Sequence, residues 1–272
     1  MVTLKTTEEI KILREGGRKL ASILDILIAK VKPGISTGEL EKLACRLISK
    51  AGGRPSFKGY KNKFDNRAYP TALCISINDE VVHAPALPSR ILREGDIVGI
   101  DIGMEYPTVR NMSKKIKAKI GNSYYTDMAA TTAVGRVNPL AQRLIDVTKK
   151  SLELGLAQVK PGKKINDIGK TIEEYVKING FKVVRDLVGH GVGYSVHEEP
   201  EVPNFSSNFK DAKLILKPGM VLAIEPMINA GSHEIIGTDN WFTIKTLDGK
   251  LSAHFEHTVV VTDHGCQILT SL

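Results

Sequence analysis

Gly95-Asp96-Ile97-Val98-Gly99-Ile100-Asp101 has a counterpart in Gly219-Met220-Val221-Leu222-Ala223-Ile224-Glu225. Each is a turn glycine, an apolar run of strand length and a terminal carboxylate. The echo extends to both sides. Val31-Lys32-Pro33-Gly34 returns as Val159-Lys160-Pro161-Gly162, each leading into an amphipathic helix. Asp127-Met128-Ala129-Ala130-Thr131-Thr132 returns as Glu256-His257-Thr258-Val259-Val260-Val261. The offsets (159 − 31, 225 − 101 and 256 − 127) stay between 124 and 129. Near-constant offsets in a fixed order are expected of a duplicated unit with loop insertions. The reading is one domain over 1–272, with halves of about 1–135 and 136–272.

Helices precede the acid-bearing strands in each half. The first is predicted from Thr7 to Lys30, where Thr6 and Glu9 form a capping box and Ile10, Leu13, Gly17, Leu20, Leu24 and Leu27 recur at helical spacing. The second begins at Ser36, paired with Glu39 in the same signature, and ends at Gly52-Gly53. Strands are expected over about 72–77 and 96–103. Asn138 and Pro139 suit the cap and first turn of a third helix, running to about Val159. Asn166 is expected to cap a fourth, closed by Gly180, after which strands and turns dominate. The fold class is therefore α+β, two halves sharing one sheet with their acids at the junction.

Composition sets the outer limits. The chain has 272 residues, of which 42% are hydrophobic and 25% charged, as in globular proteins with a sizeable core. Cys45, Cys74 and Cys266 are odd in number and far apart, which argues against a disulfide framework. No stretch approaches the roughly 18 apolar residues of a membrane span. Ala21 to Val31 is broken by Asp25 and Lys30, and the first nine residues carry no apolar run of signal-peptide type. Cytoplasm is the expected location. The net charge of +8 favours anionic partners, RNA among them, although most basic soluble proteins have no such role.

An acid reached through an apolar run needs a partner, because an isolated buried charge costs several kcal/mol or more. One strand-end acid is ordinarily solvated or paired with Lys or Arg. Asp101, Asp127, Glu225 and Glu256, from equivalent places in two halves, carry more charge together than one salt bridge neutralises. Divalent cations would neutralise it. Gly189-His190-Gly191-Val192-Gly193 adds an imidazole whose flanking glycines let the backbone run close. Oxygen-rich ligation with one imidazole suits Mn, Fe(II), Co or Zn, and the absence of CxxC spacing excludes a structural zinc knuckle. Two such ions could share a water and lower its pKa. His83, in Val82-His83-Ala84-Pro85, and His197, in His197-Glu198-Glu199-Pro200, are predicted in loops beside this site. A lone histidine is more often structural, but here each is placed to position substrate or face developing charge.

These residues resemble the five-ligand site of the methionine aminopeptidases and their pita-bread-fold relatives. The strings that carry the resemblance are Cys74-Ile75-Ser76-Ile77-Asn78, Gly189 to Gly193, His197 to Pro200, Ile224-Glu225-Pro226 and Glu256-His257-Thr258. It covers nearly the whole chain and looks like the short bacterial-type form. It implies a curved antiparallel sheet with helices on its outer face, and removal of the initiator methionine from nascent proteins by hydrolysis of the first peptide bond. Two divalent ions would be held by Asp101, Asp127, His190, Glu225 and Glu256. Glu225 would also handle a water proton, His197 would stabilise the oxyanion, and His83 would contact the peptide near the scissile nitrogen. Tyr60, Tyr69, Cys74 and Trp241 match the walls of the methionine pocket, where sulfur and aromatic surfaces suit a thioether. Nascent chains are the implied partners, and the expected state is a monomer. A proline-directed peptidase of the same fold and a non-catalytic binding protein are the alternatives.

Three departures from the family pattern stand out. An extra stretch, 61–67, lies between Tyr60 and Tyr69, and Val196 replaces an aromatic before His197. A basic insertion of about 104–124 lengthens the interval from Asp101 to Asp127. There Lys115, Lys117 and Lys119 alternate with Ile116, Ala118 and Ile120, the period of a strand, so a long β-hairpin is predicted. Its lysines suit either a solvated edge that deters aggregation or contact of 110–119 with ribosomal RNA.

Overall fold

The duplication is visible in hydrogen bonds. In the computed structural model, which describes residues 2–61, 66–108 and 122–272, Gly34 and Gly162 take φ of +90° and +84°, and Gly95 and Gly219 take +91° and +87°. Side chains are strained in that left-handed region, so glycine is required at each turn. Gly34 N–H donates to Leu92 O at 2.9 Å, and Gly162 N–H donates to Leu216 O at 3.1 Å. Gly95 N–H donates to Val134 O at 3.0 Å, and Gly219 N–H donates to Val261 O at 2.9 Å. The same frame is built twice.

In chain order the elements are α1 (Thr7–Ile28), α2 (Thr37–Lys50), β1 (Arg54–Pro55), β2 (Leu73–Ile77), β3 (Glu80–Val82), β4 (Ile97–Tyr106) and β5 (Tyr124–Ala133). The second half continues with α3 (Pro139–Leu156), α4 (Ile165–Ile178), β6 (Lys182–Val183), β7 (Gly189–Gly191), β8 (Glu198–Val202) and β9 (Val221–Ile224). Then come β10 (Met227–Asn229), β11 (Ile235–Gly237), β12 (Ile244–Thr246), β13 (Ser252–His254), β14 (Glu256–Thr262) and β15 (Gly265–Ile268). Among the described residues no helix is long and apolar enough to cross a membrane.

The central sheet runs β1-β4-β5-β14-β9-β7-β8, with β2 also paired to β4 and β15 to β14, and its pairs are antiparallel. The β5–β14 pair, Glu256 opposite Ala129 and His257 opposite Met128, joins the halves. Helices of each half cover its part of the sheet, and Leu13 of α1 also reaches Val192, Val221 and Val260 of the second half. Leu20, Leu24, Leu40 and Ile48 of α1 and α2 pack with Ile75, Ile100 and Ile102. Leu144, Leu152, Ile168 and Ile172 of α3 and α4 pack with Leu222, Ile224 and Val259. Each such side chain contributes about 1.5–3 kcal/mol relative to exposure, so burial rather than helix propensity holds the layers together. Because side chains alternate along a strand, Asp101 points away from the helix-facing Ile100 and Ile102.

Two expectations need correction. Asn166 does not cap α4. The cap position is Lys164, whose N–H donates to Asp167 Oδ2 at 2.9 Å, while Asn166 Oδ1 accepts from Ser207 N–H at 2.8 Å. A tertiary contact took the side chain that local pattern had assigned to the cap. Asp101 does not end its strand, because β4 continues to Tyr106 in register with Tyr124 of β5. Residues 104–106 and 124, at the ends of the predicted insertion, therefore lie in the sheet. The predicted hairpin itself, with the lysines of 110–119, lies largely outside the described residues, as does most of 61–67.

Candidate metal centre

Register brings the acids together. Asp101 on β4 lies opposite Ala129 on β5, and Ala129 lies opposite Glu256 on β14. Asp127 is two residues from Ala129, so Asp101, Asp127 and Glu256 occupy one face of three adjacent strands. Glu225 follows β9 directly, and β9 pairs with both β14 and β7. His190, in the middle of β7, lies opposite Ala223. Its Nε2 stands 3.4 Å from Glu225 Oε1 and 3.7 Å from Asp127 Oδ2. Donor atoms of Asp127, His190 and Glu256 all lie within 4.8 Å of one another, close enough to share an ion. His190 Nδ1 is 2.9 Å from Gly191 O. Donation from Nδ1–H to that carbonyl leaves the Nε2 lone pair facing the acids, as metal ligation requires.

Charge makes the case for a cation. Asp127 and Glu256 are buried, at 3% exposure each. Among the described residues no Lys or Arg pairs with any of the four acids; the imidazoles of His190 and His254, which lie within 4 Å of Asp127 or Glu225, are kept neutral by burial. Burial, then the Asp127 carboxylate, pushes Asp101 up to about 8. Burial raises Asp127 to about 6, although the Thr258 hydroxyl (2.9 Å to Oδ1) and His197 hold it down. Burial and the neighbouring acids push Glu225 and Glu256 well above the ordinary carboxylate range. Burial lowers His190 to about 4, so it stays a neutral donor. Asp101 Oδ1 is buried with no hydrogen-bond partner. An orphaned oxygen among mutually repelling acids is what a divalent ion would satisfy, and the donor set fits one.

The surrounding groups divide into those the structure gathers and those it does not. His197, just before β8, is solvent-accessible, and its ring lies 4.5 Å from that of His190 in a T-shaped contact. Tyr60 Oη stands 2.8 Å from His197 Nδ1. His83, after β3, is accessible and takes φ +59°, a sparsely populated conformation for a non-glycine residue. Cys74 is opposite Asp101 in the β2–β4 ladder, and Tyr69 is buried at 8% exposure. Trp241 is 72% exposed, with the Arg67 guanidinium 4.0 Å from its ring centre. Its neighbour Phe242 stands edge-on to Tyr69 at 5.4 Å. The left-handed turn at Trp241 (φ +68°) reverses which of the two rings faces inward. The sequence reading also missed His254. It is 5% exposed, burial lowers it to about 3, and its unpartnered Nε2 lies 3.7 Å from Glu225 Oε2. Its place two residues before Glu256 was the available signal.

The model of Metallopeptidase family M24 matches residues 11–263. The chain belongs to that family. Within M24 it is 44% identical over 272 residues to methionine aminopeptidase 1 of Bacillus subtilis (strain 168), covering 99% of each chain. It is 41% identical to the methionine aminopeptidase of Aquifex aeolicus, covering 100% of this chain and 99% of the relative. Among solved structures, the methionine aminopeptidase of Thermotoga maritima superposes with a TM-score of 0.88 at 34% identity over the full length of both. A prolidase from Pyrococcus horikoshii shares the fold alone, with a TM-score of 0.73 at 20% identity over 63% of its length. The expected α+β pita-bread architecture is thus the M24 fold.

Proposed function

We infer that this M24 protein is a methionine aminopeptidase, an enzyme that hydrolyses the first peptide bond of chains beginning with methionine. The observation that carries the reading is the convergence of Asp101, Asp127, Glu225, Glu256 and His190 with no compensating Lys or Arg among the described residues. Relatives of that name match end to end.

Asp101, Asp127, His190, Glu225 and Glu256 would hold two divalent ions, with Mn, Fe(II), Co and Zn all compatible with this donor set. Such ions supply Lewis-acid charge and lower the pKa of water at neutral pH. Glu225 would take the proton of the attacking water, a role that its place just past β9, beside His190, supports. Tyr60 donating its hydroxyl proton to His197 Nδ1 leaves Nε2–H as the donor, directed at the charge that develops on the carbonyl oxygen. His83 contacts the peptide near the scissile nitrogen. Tyr69, Cys74 and Phe242 form an apolar wall beside Asp101 that suits a thioether side chain.

The physiological substrates are nascent chains in the cytoplasm, and a contact with ribosomal RNA through 110–119 rests on its alternating lysines alone. Deleting that segment should weaken salt-sensitive ribosome binding; unchanged binding removes the contact. For the activity itself, Met-Ala-Ser and Ala-Pro peptides are compared with Mn, Fe(II) and Co supplied in turn. Cleavage of Met-Ala-Ser is expected, and turnover of Ala-Pro alone would move the protein to the proline-directed branch of the fold.

A further inference from the structure

The loop that carries His197 is tied to the segment ahead of α1, and Glu198 is the knot. Glu198 Oε2 accepts from Lys5 Nζ at 2.6 Å and from Thr3 Oγ1 at 2.7 Å. Its other oxygen accepts the Ser195 N–H at 3.1 Å and the Tyr194 N–H. One carboxylate thus joins residues 3–5 to both backbone donors ahead of His197, and Ser195 Oγ donates to the His197 carbonyl at 2.8 Å. Lys5 is clamped in turn. Its N–H donates to Gly219 O at 2.8 Å, its side chain is 1% exposed, and its ammonium lies 4.5 Å from the Tyr194 ring centre. Tyr194 Oη donates to Glu9 at 2.9 Å. At Gly193 (φ +136°) an added Cβ would fall 2.6 Å from Lys5 Cε, so the loop lies directly on the lysine stem. Burial pushes the Glu198 carboxyl up, but Lys5 and Thr3 outweigh it and hold the group below the ordinary range.

A buried ion pair adds little net stability compared with an apolar replacement. This one sits where an accessible loop must hold an imidazole in a fixed place. We propose that Lys5 is a positioning residue for the reaction: through Glu198 it sets the 194–198 loop and so the location of His197. The proposal rests on the reading of His197 as the donor to the carbonyl oxygen. It separates Lys5 from a merely structural residue, because its effect must pass through His197.

The test uses the full chain loaded with Mn, assayed on Met-Ala-Ser well below its melting temperature. Lys5→Met should lower kcat about ten- to a hundredfold, with KM changed less than about threefold and Mn affinity by calorimetry unchanged. In a His197→Ala background the same substitution should have no further effect on kcat. If Lys5→Met does not fold, Thr3→Val removes one partner of the same oxygen and should show a smaller kcat loss with the same non-additivity. The 15N resonances of the His197 ring, read without turnover, should move in either variant. A lowered Tm with kcat intact, or equal losses in both backgrounds, overturns the proposal. Absence of turnover in the unaltered protein, with those resonances still moving, breaks the functional reading and leaves the positioning role standing.

Discussion

The two halves share a frame but deliver their acids differently. The first places Asp101 and Asp127 in the middle of a ten-residue antiparallel pair, where ladder register aims short side chains. The second places Glu225 just past β9 and Glu256 at the first residue of β14, where longer side chains reach in from strand ends. Asn204 Nδ2, donating to Glu225 O at 3.1 Å, steadies a residue no ladder holds. Imidazoles differ as well: His190, His197 and His254 come from the second half, His83 from the first. Duplication therefore conserved the backbone and its turn glycines, while the chemistry diverged in side-chain length and softness. Register aims Asp101, Asp127, His190 and Glu256, and a hydrogen bond to its backbone steadies Glu225.

The comparison is broken most severely by removing a donor from either side. Asp127→Ala and Glu256→Ala should each abolish measurable turnover and lower metal uptake in calorimetry. If either variant keeps near-normal turnover, the site is not shared between halves. Glu225→Gln keeps the shape but not the base, and should lower kcat about 10²–10⁴-fold in steady-state assays.

His254 sharpens the difference in support. His254→Leu should weaken metal binding about 10–100-fold, with His254→Gln recovering most of it, because the amide still offers Glu225 a donor. Equal affinities for all three proteins would show that Glu225 needs no help from β13.

Protons give a further test. In chelator-treated protein Asp101 and Asp127 should titrate at about 8 and about 6, above their ordinary 3.8, because burial disfavours their charged forms. Raised values mean that the folded state keeps protons the unfolded chain has lost. The resulting stability is full below pH 3.8 and is lost as pH rises through 6 to 8. A cation displaces those protons, so its affinity should increase from pH 6 to 8, with proton release measurable in buffers of different ionisation enthalpy. Affinity that is flat across this window would contradict the burial argument.

The smallest effect compares the helix caps. Ser36→Ala should cost about 1 kcal/mol in denaturant melts, since Ser36 Oγ accepts the Glu39 N–H at 3.2 Å. Lys164→Ala at the matching position should stay within about 0.5 kcal/mol, because α4 has no side-chain cap bond there.

Much of the site was legible because its residues sit in short strings tied to repeated backbone. Turn glycines, apolar runs and capping boxes are local, and each of α1 and α2 begins at the residue its capping box indicates. The five proposed metal donors were legible for the same reason, each standing in or directly after a strand. Asn166 was misread because the partner that decided it, Ser207, is remote in sequence.

By itself, the amino-acid order determined the duplication, the α+β layering and the acids that meet, since periodicity and turn chemistry act over a few residues. Only the folded chain decided that β4 runs on past Asp101, that Phe242 rather than Trp241 faces Tyr69, and that His254 and Lys5 stand behind Glu225 and His197. Those outcomes depend on contacts between segments as far apart as residues 5 and 198. No local pattern encodes such contacts, because they exist only once both halves have closed around the same sheet.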